Sequence, residues 1–435
     1  MILRHFLCWA QTASAARRAE AADALARAYL HADLDPAQRR EAEIALTSLA
    51  DDPSPLVRRA LAESLASAVD APRALVSALA CDQSEVASPI LSRSPLLSEA
   101  ELIDCAAIGD AFAQTAIALR ARVSSGVCAA LAEIGAREAA ISLAINPGAD
   151  IAEFSLRRMV ERFGADGEAR EALLSRPFLP AAVRNALVNA AAASLSAFVV
   201  NCGWLTPARA ERLSREERDK ANVIIVADTV EQDGRVGVRD LVQHLCASGQ
   251  LTASLLLRGL LSDNRDLFEA ALAELSGLRD DRVAGLTRDF RGAGFAALYA
   301  RAGLPEKFLP AFRAVLAAQQ AQGAERATDA RLSLPLIRSA IAVCAGIGDA
   351  EFDPLMALLR RFEREAALED ARRETARLAA EALAPEALLA EPPAPEPPAL
   401  AAPEPAPEAE PVPQPAPRPP LIDLAAFDAE LRQAA

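Results

Sequence analysis

The chain has 435 residues, with 46 Lys or Arg against 60 Asp or Glu, a formal net charge of -14, and aromatic residues at only 4%. That balance excludes a generally basic phosphate-binding surface, and an apolar fraction built from alanine and aliphatic side chains favours close helix packing over sheets. The acidity is uneven: from Glu386 onward nine acids and two arginines give -7, which leaves -7 for the much longer body.

Met1 to Ala15 carries an early arginine, an apolar patch and Ala13-Ser14-Ala15, but Arg4 and His5 interrupt the patch. The remaining core, Phe6 to Ala10, is too short for an ordinary signal peptide. No other uninterrupted apolar run is long enough to span a bilayer. The expectation is a cytoplasmic protein without membrane insertion. The seven cysteines form no CxxC pair and read as small apolar residues of a reducing compartment.

Asp35-Pro36 opens a helix by capping residue and first-turn proline, with Ile44, Leu46 and Leu49 as apolar positions before Asp51-Asp52-Pro53 ends it. The next starts at Ser54-Pro55, and Val57, Leu61, Leu65 and Ala68 recur at helical spacing. The segment Asp52 to Leu65 resembles the repeat signature of HEAT proteins. The resemblance implies that Asp52 and Arg58 link adjacent repeats by hydrogen bonds, while Val57, Ala60 and Leu65 face the core. Weaker copies follow at Val86, Val127, Ile151 and Val183, at spacings of 29, 41, 24 and 32, which fits an irregular two-helix repeat through about residue 200.

Gly203, Thr206 and Pro207 form a break and restart. Beyond it, Leu255, Leu256 and Leu260 and then Asp266 to Leu275 read as further helices. Val223 to Val226 is β-prone, but helical patterns on both sides favour a helix. Phe362 to Leu383 reads as a long charged helix. Between Pro385 and Pro420 lie 15 of the 29 prolines, a composition that forms no core and makes a tether reaching at most ~110 Å. The expected organisation is helical repeats over 1–202, a second helical region over 203–384, a proline-rich linker over 385–420 and a short amphipathic helix over 421–435. In that last segment Asp423 caps, and Leu424, Phe427 and Leu431 share one face at the spacing of groove-binding helices.

Residues from Phe6 to about Ala318 resemble an uncharacterised bacterial family with HEAT-like repeats, a domain of unknown function. The likeness rests on Phe6 and Trp9, Asp51 to Glu63, Ser94-Pro95-Leu96-Leu97 with Leu102-Ile103, and Ile117 to Arg120. It continues in Asn146 to Leu156, Arg176-Pro177-Phe178-Leu179-Pro180 and Leu251-Thr252. It implies an all-α superhelix, with no activity or binding residue to carry over.

Chemical motifs are sparse. His5 with Cys8, or His244 with Cys246, offers two ligands where a structural zinc takes four, so no metal or cofactor is expected. Thr229 to Asp240 brings Glu231, Asp233, Gly234, Val236 and Asp240 near the positions of a calcium-binding loop. Thr229 replaces its first carboxylate, so an Asp-Gly helix connection is the better reading. The pairs Arg17-Arg18, Arg39-Arg40, Arg58-Arg59 and Arg157-Arg158 sit near acids that would pair with them. The sequence therefore points to a non-catalytic protein-binding scaffold or regulator with a tethered recognition helix, docking on a partner or on the chain itself. An arginine-lined nucleic-acid solenoid is the alternative. An enzyme of unrecognised type would require a polar pocket uniting sequence-distant residues.

Overall fold

A computed structural model describes residues 2–322, 331–346 and 352–389, which among themselves hold twenty-one α-helices and no strand. The first six helices are α1 (Ile2–Thr12), α2 (Ala15–His31), α3 (Pro36–Ala50), α4 (Pro55–Leu65), α5 (Arg73–Ala80) and α6 (Ser84–Arg93). Then come α7 (Glu99–Ile108), α8 (Ala111–Ala118), α9 (Ser125–Ile134), α10 (Arg137–Ile145), α11 (Glu153–Phe163), α12 (Gly167–Leu174) and α13 (Ala181–Asn201). The remainder are α14 (Pro207–Ala247), α15 (Ala253–Leu261), α16 (Arg265–Ser276), α17 (Asp280–Arg288), α18 (Ala293–Arg301), α19 (Leu309–Gln322), α20 (Leu334–Ala345) and α21 (Asp353–Leu389). Residues through Arg372 form one compact unit; those from Arg373 form a second, in which Arg377 pairs with Glu374 and Glu381.

The local signals act as physical chemistry requires. Asp35 caps α3 in a full capping box with Gln38, and Ser98 and Glu101 do the same for α7. Leu46 and Leu49 are buried, whereas Ile44, expected on the same stripe, faces solvent. It is two residues from Leu46, on another face of the helix. Val57 and Leu65 are fully buried, and Ala60 packs half-buried beside them. The β-prone Val223–Val226 run is helical within α14.

Short helices cannot hold themselves, so packing decides. In the first half helices pack on their next-but-one neighbours: α2, α4, α6, α8, α10 and α12 form one rank, and α7, α9, α11 and α13 another. Charged side chains cross between units. Arg18 gives Asp52 two hydrogen bonds, at 2.6 and 2.8 Å, and Arg58 gives Asp82 two, at 2.5 and 3.0 Å, while also reaching the Asp52 carbonyl. A second ladder closes helix C-termini, whose last carbonyls lack helical partners and carry partial negative charge. Arg120 donates to the Leu91 and Ser94 carbonyls, Asn146 to those of Ala118 and Arg120, and Arg176 to those of Ala144, Asn146 and Ala149.

There are two apolar cores. The first runs from Ala19 to Leu187 and is almost wholly Ala, Leu, Val and Ile; among the described residues Tyr29 is its one buried aromatic, with Phe6 and Phe163 packed partly buried against it. The second runs from Val223 to Ala366 and centres on Phe268, Phe295, Tyr299 and Phe312, with Phe268 and Phe312 stacked at 5.1 Å. α13 serves both, giving Val183 and Leu187 to the first and packing Ala181 and Val188 against the second. With 21 residues and mean hydropathy 1.4, α13 is also long and apolar enough to cross a membrane. Arg184, Asn185 and Asn189 interrupt its apolar run.

Candidate functional site

Large exposed apolar side chains recur along one edge of the first stack. α8, α10 and α12 end side by side, since Asn146 reaches the carbonyls flanking Leu119 and Arg176 those flanking Ile145. Each helix end carries an aliphatic residue in solvent: Leu119, Ile145 and Leu174 are 61%, 60% and 58% exposed. Stacked helices sit about 10 Å apart, so the edge offers apolar contacts at roughly the rise of seven helical residues.

Phe178 follows on this edge. It is 89% exposed with φ 56°, a left-handed conformation that is costly for a bulky side chain. Its neighbours explain how it is held: Arg176 is pinned to three carbonyls on one side and Leu179 is buried on the other. Pro177 and Pro180 stiffen the turn between them.

A second feature is a cleft of about 400 Å³ between α5, α6, α7 and α8. Ala80, Ala87, Leu91, Leu97 and Ala113 make its apolar floor, and Asp82, Glu101, Asp104 and Asp110 its acidic rim. Ser98's hydroxyl and backbone amide, helped by Arg73, hold Glu101 below the usual carboxylate range; Ser84, at 2.6 Å, and the α8 backbone amides do the same for Asp110. Burial opposes ionisation of Asp82, but the bonds from Arg58 and the Gln83 amide prevail and lower it.

The third is a polar seam between the two cores. Buried Asn185 donates to Asn222 at 2.6 Å and Gln250 at 3.2 Å, accepts from Asn189 at 2.9 Å, and lies 3.2 Å from His244 Nε2. Arg184 donates to Asp228 and Thr229. Asn189 Oδ1 and Arg184 Nε are buried with no hydrogen-bond partner. In front of the network opens a cavity of about 380 Å³ lined by Glu153, Arg157, Thr229, Asp233, Asp240 and His244. Burial, reinforced by the Arg157 charge, pushes His244 below its ordinary value.

Sequence reading gathered none of the seam beyond Thr229–Asp240, because its members come from four separate segments. Asn185 and Asn189 on the alanine-rich α13 were the available signal. Thr229 to Asp240 is helical on both sides of a kink at Gly234 (φ 63°, ψ -151°), the Asp-Gly connection, and the Thr229 hydroxyl donates to the Ile225 carbonyl at 2.6 Å. Among the described residues no group of three or more His, Cys, Asp or Glu stands close enough to hold a metal. Leu424, Phe427 and Leu431 lie outside the described residues.

No curated protein and no solved structure matches the chain. A family model described as an uncharacterised protein conserved in bacteria (DUF2336) matches residues 86–348. The match takes in the exposed edge, the cleft from Val86 onward and the seam; it starts later than the resemblance read from Phe6 and ends beyond Ala318. The chain thus belongs to this uncharacterised bacterial family.

Proposed function

We propose that the protein is a non-catalytic binding scaffold or regulator, and that the edge formed by Leu119, Ile145, Leu174 and Phe178 takes an amphipathic helix of a protein partner. The row of exposed apolar residues at helix-unit intervals carries this reading. A helix presenting apolar side chains at i and i+7 would cover one rung with each. Burying each large apolar side chain contributes ~1.5 to 3 kcal/mol before ordering costs, enough for modest affinity from three or four. The carbonyl clamps of Asn146 and Arg176 pre-form the edge, so little ordering of this side is needed. Leu424, Phe427 and Leu431 we propose as a second recognition element, on the tether.

Several arginines that would line a nucleic-acid groove are already engaged. Arg18, Arg58, Arg59 and Arg158 pair with Asp52, Asp82, Glu63 and Glu133. A second reading, an enzyme of unfamiliar type, draws on the seam cavity, where a His244 held neutral by burial could accept a proton. A small molecule that raises the melting temperature of the wild type but not of His244→Ala would favour it.

The test of the main reading is photocrosslinking from positions 119, 145 and 174 in the full chain, with exposed Val69 as the control site. Crosslinks from all three to one segment of one protein, abolished by Leu119→Ser/Ile145→Ser/Leu174→Ser in a chain of unchanged helicity, are expected. Equal crosslinking from Val69, or capture of nucleic acid instead, would overturn the reading.

A further inference from the structure

Two of the seven cysteines meet at the cleft between α5 and α7. Cys81 is the C-cap of α5 and exposed; Cys105 lies on α7, half-buried, and both line the cleft wall. The Cys105 thiol donates at 3.9 Å to the carbonyl of Ala80, the residue bonded to Cys81, and Cys81 is near enough to disfavour its ionisation. The helices carrying the two cysteines are tied by a second contact, since Arg73 and Ser77 of α5 both reach the Glu101 carboxylate of α7. A disulfide needs its two Cβ vectors to converge without backbone movement, and a Cys105 sulfur this close to the peptide that leads into Cys81, on the same cleft wall, brings the two side chains within such reach.

We propose that Cys81 and Cys105 form a reversible disulfide when the protein meets a peroxide. Exposed Cys81 meets the oxidant first: its sulfur takes one oxygen from hydrogen peroxide, giving a sulfenic acid and releasing water. The sulfur of Cys105 then attacks the Cys81 sulfur. The S–O bond breaks, the Cys105 proton leaves with the hydroxyl as a second water, and the S–S bond forms. A dithiol reductant reverses this by exchange, itself ending as a disulfide. The two cysteines divide the work by their surroundings. Burial, the neighbouring Cys81 and the acids Asp104 and Glu101 push the Cys105 thiol up to about 11, so it stays protonated and resists direct oxidation. It reacts because a sulfenic acid forms beside it. The bridge would tie the end of α5 to the middle of α7 across the cleft wall. This inference goes beyond the proposed binding edge, which lies at the other ends of α8, α10 and α12, and does not depend on it.

The experiment treats the full-length protein with hydrogen peroxide, blocks remaining thiols by alkylation, and maps tryptic peptides by mass spectrometry. Exposed Cys8, Cys202 and Cys246 serve as internal controls. The expected result is a linked pair joining residues 74–93 to residues 94–120, the loss of two hydrogens from the intact mass, and its recovery with dithiothreitol. In Cys105→Ser the Cys81 sulfenic acid should persist and be trapped by dimedone; in Cys81→Ser, Cys105 should remain alkylatable once the protein is unfolded. Cys105→Ala, checked for unchanged helicity, repeats the first variant without a hydroxyl in the contact. A wild-type Cys81 that stops at the sulfenic acid, or that links instead to Cys8, Cys202 or Cys246, would overturn the proposal.

Discussion

The two cores solve one problem by different means. The first builds α2 to α13 from thin, mostly aliphatic layers, and charged side chains set the register between units: Arg18 on Asp52, Arg58 on Asp82, Arg137 on Asp166. The second buries six aromatic rings, and its Arg258 pairs with Glu365, which Lys220 also reaches, the guanidinium lying over Phe362 at 4.7 Å. Small side chains allow close helix approach but leave little area per residue, so the first core depends on directional bonds at every step. Large rings bury more area per residue. Specificity is therefore distributed along the first region and concentrated in the second.

The largest way to break this contrast is Leu65→Asp, which places an unpaired charge at a fully buried position. Its cost exceeds several kcal/mol, comparable with a domain's whole margin of ~5–15 kcal/mol. The first region should lose exchange protection while the near-ultraviolet signal of the second region's rings persists; unchanged melting would mean the repeat face is misassigned. The mirror experiment, Phe268→Ala, should cost ~3–5 kcal/mol and remove that ring signal, as denaturant titration would show.

The pH response should separate the regions next. Burial pushes Asp219, against the second core, up to about 6, so the folded state holds its proton more tightly than the unfolded chain. That region should lose ~2 kcal/mol as pH rises from about 4 to about 6, and Asp219→Asn should flatten the slope. Asp52, bonded by Arg18, and Asp82, bonded by Arg58 against the opposing effect of burial, are both lowered. Their contribution is full above about pH 4 and disappears as pH falls through their folded values. Hydrogen exchange of peptides from each core, corrected for intrinsic rates, would read the opposite slopes; parallel slopes would refute the assignment. Asp52→Asn should cost ~1–2 kcal/mol by weakening the Arg18 and Ser54 bonds. Smallest of all, deleting residues 390–435 should leave helicity and melting of the body unchanged, since the tether's composition builds no core.

What was legible followed from local chemistry. Asp35, Pro36 and Pro55 marked helix starts, and the Asp52–Leu65 pattern placed the bonds of Asp52 and Arg58 between neighbouring units. The segments that carried the family resemblance contain Arg120, Asn146 and Arg176, the three carbonyl clamps, but nothing local shows that their partners lie some thirty residues earlier. The exposure of Leu119 and Ile145 was not legible, because a residue at a helix's end can project past its neighbour and the apolar pattern does not record that. The seam was invisible for a similar reason: Asn185 finds Asn222 and Gln250 only after α13 folds back on α14.

That seam has a mechanical consequence. Between α13 and α14 the apolar contacts of Ala181 and Val188 lie beside a layer of amides, one imidazole and a guanidinium, whose bonds water can replace. Opening an aliphatic or aromatic interior offers water no such exchange. A pull that shears α13 against α14 should therefore be resisted less at the Asn185–Asn222 layer than within either interior.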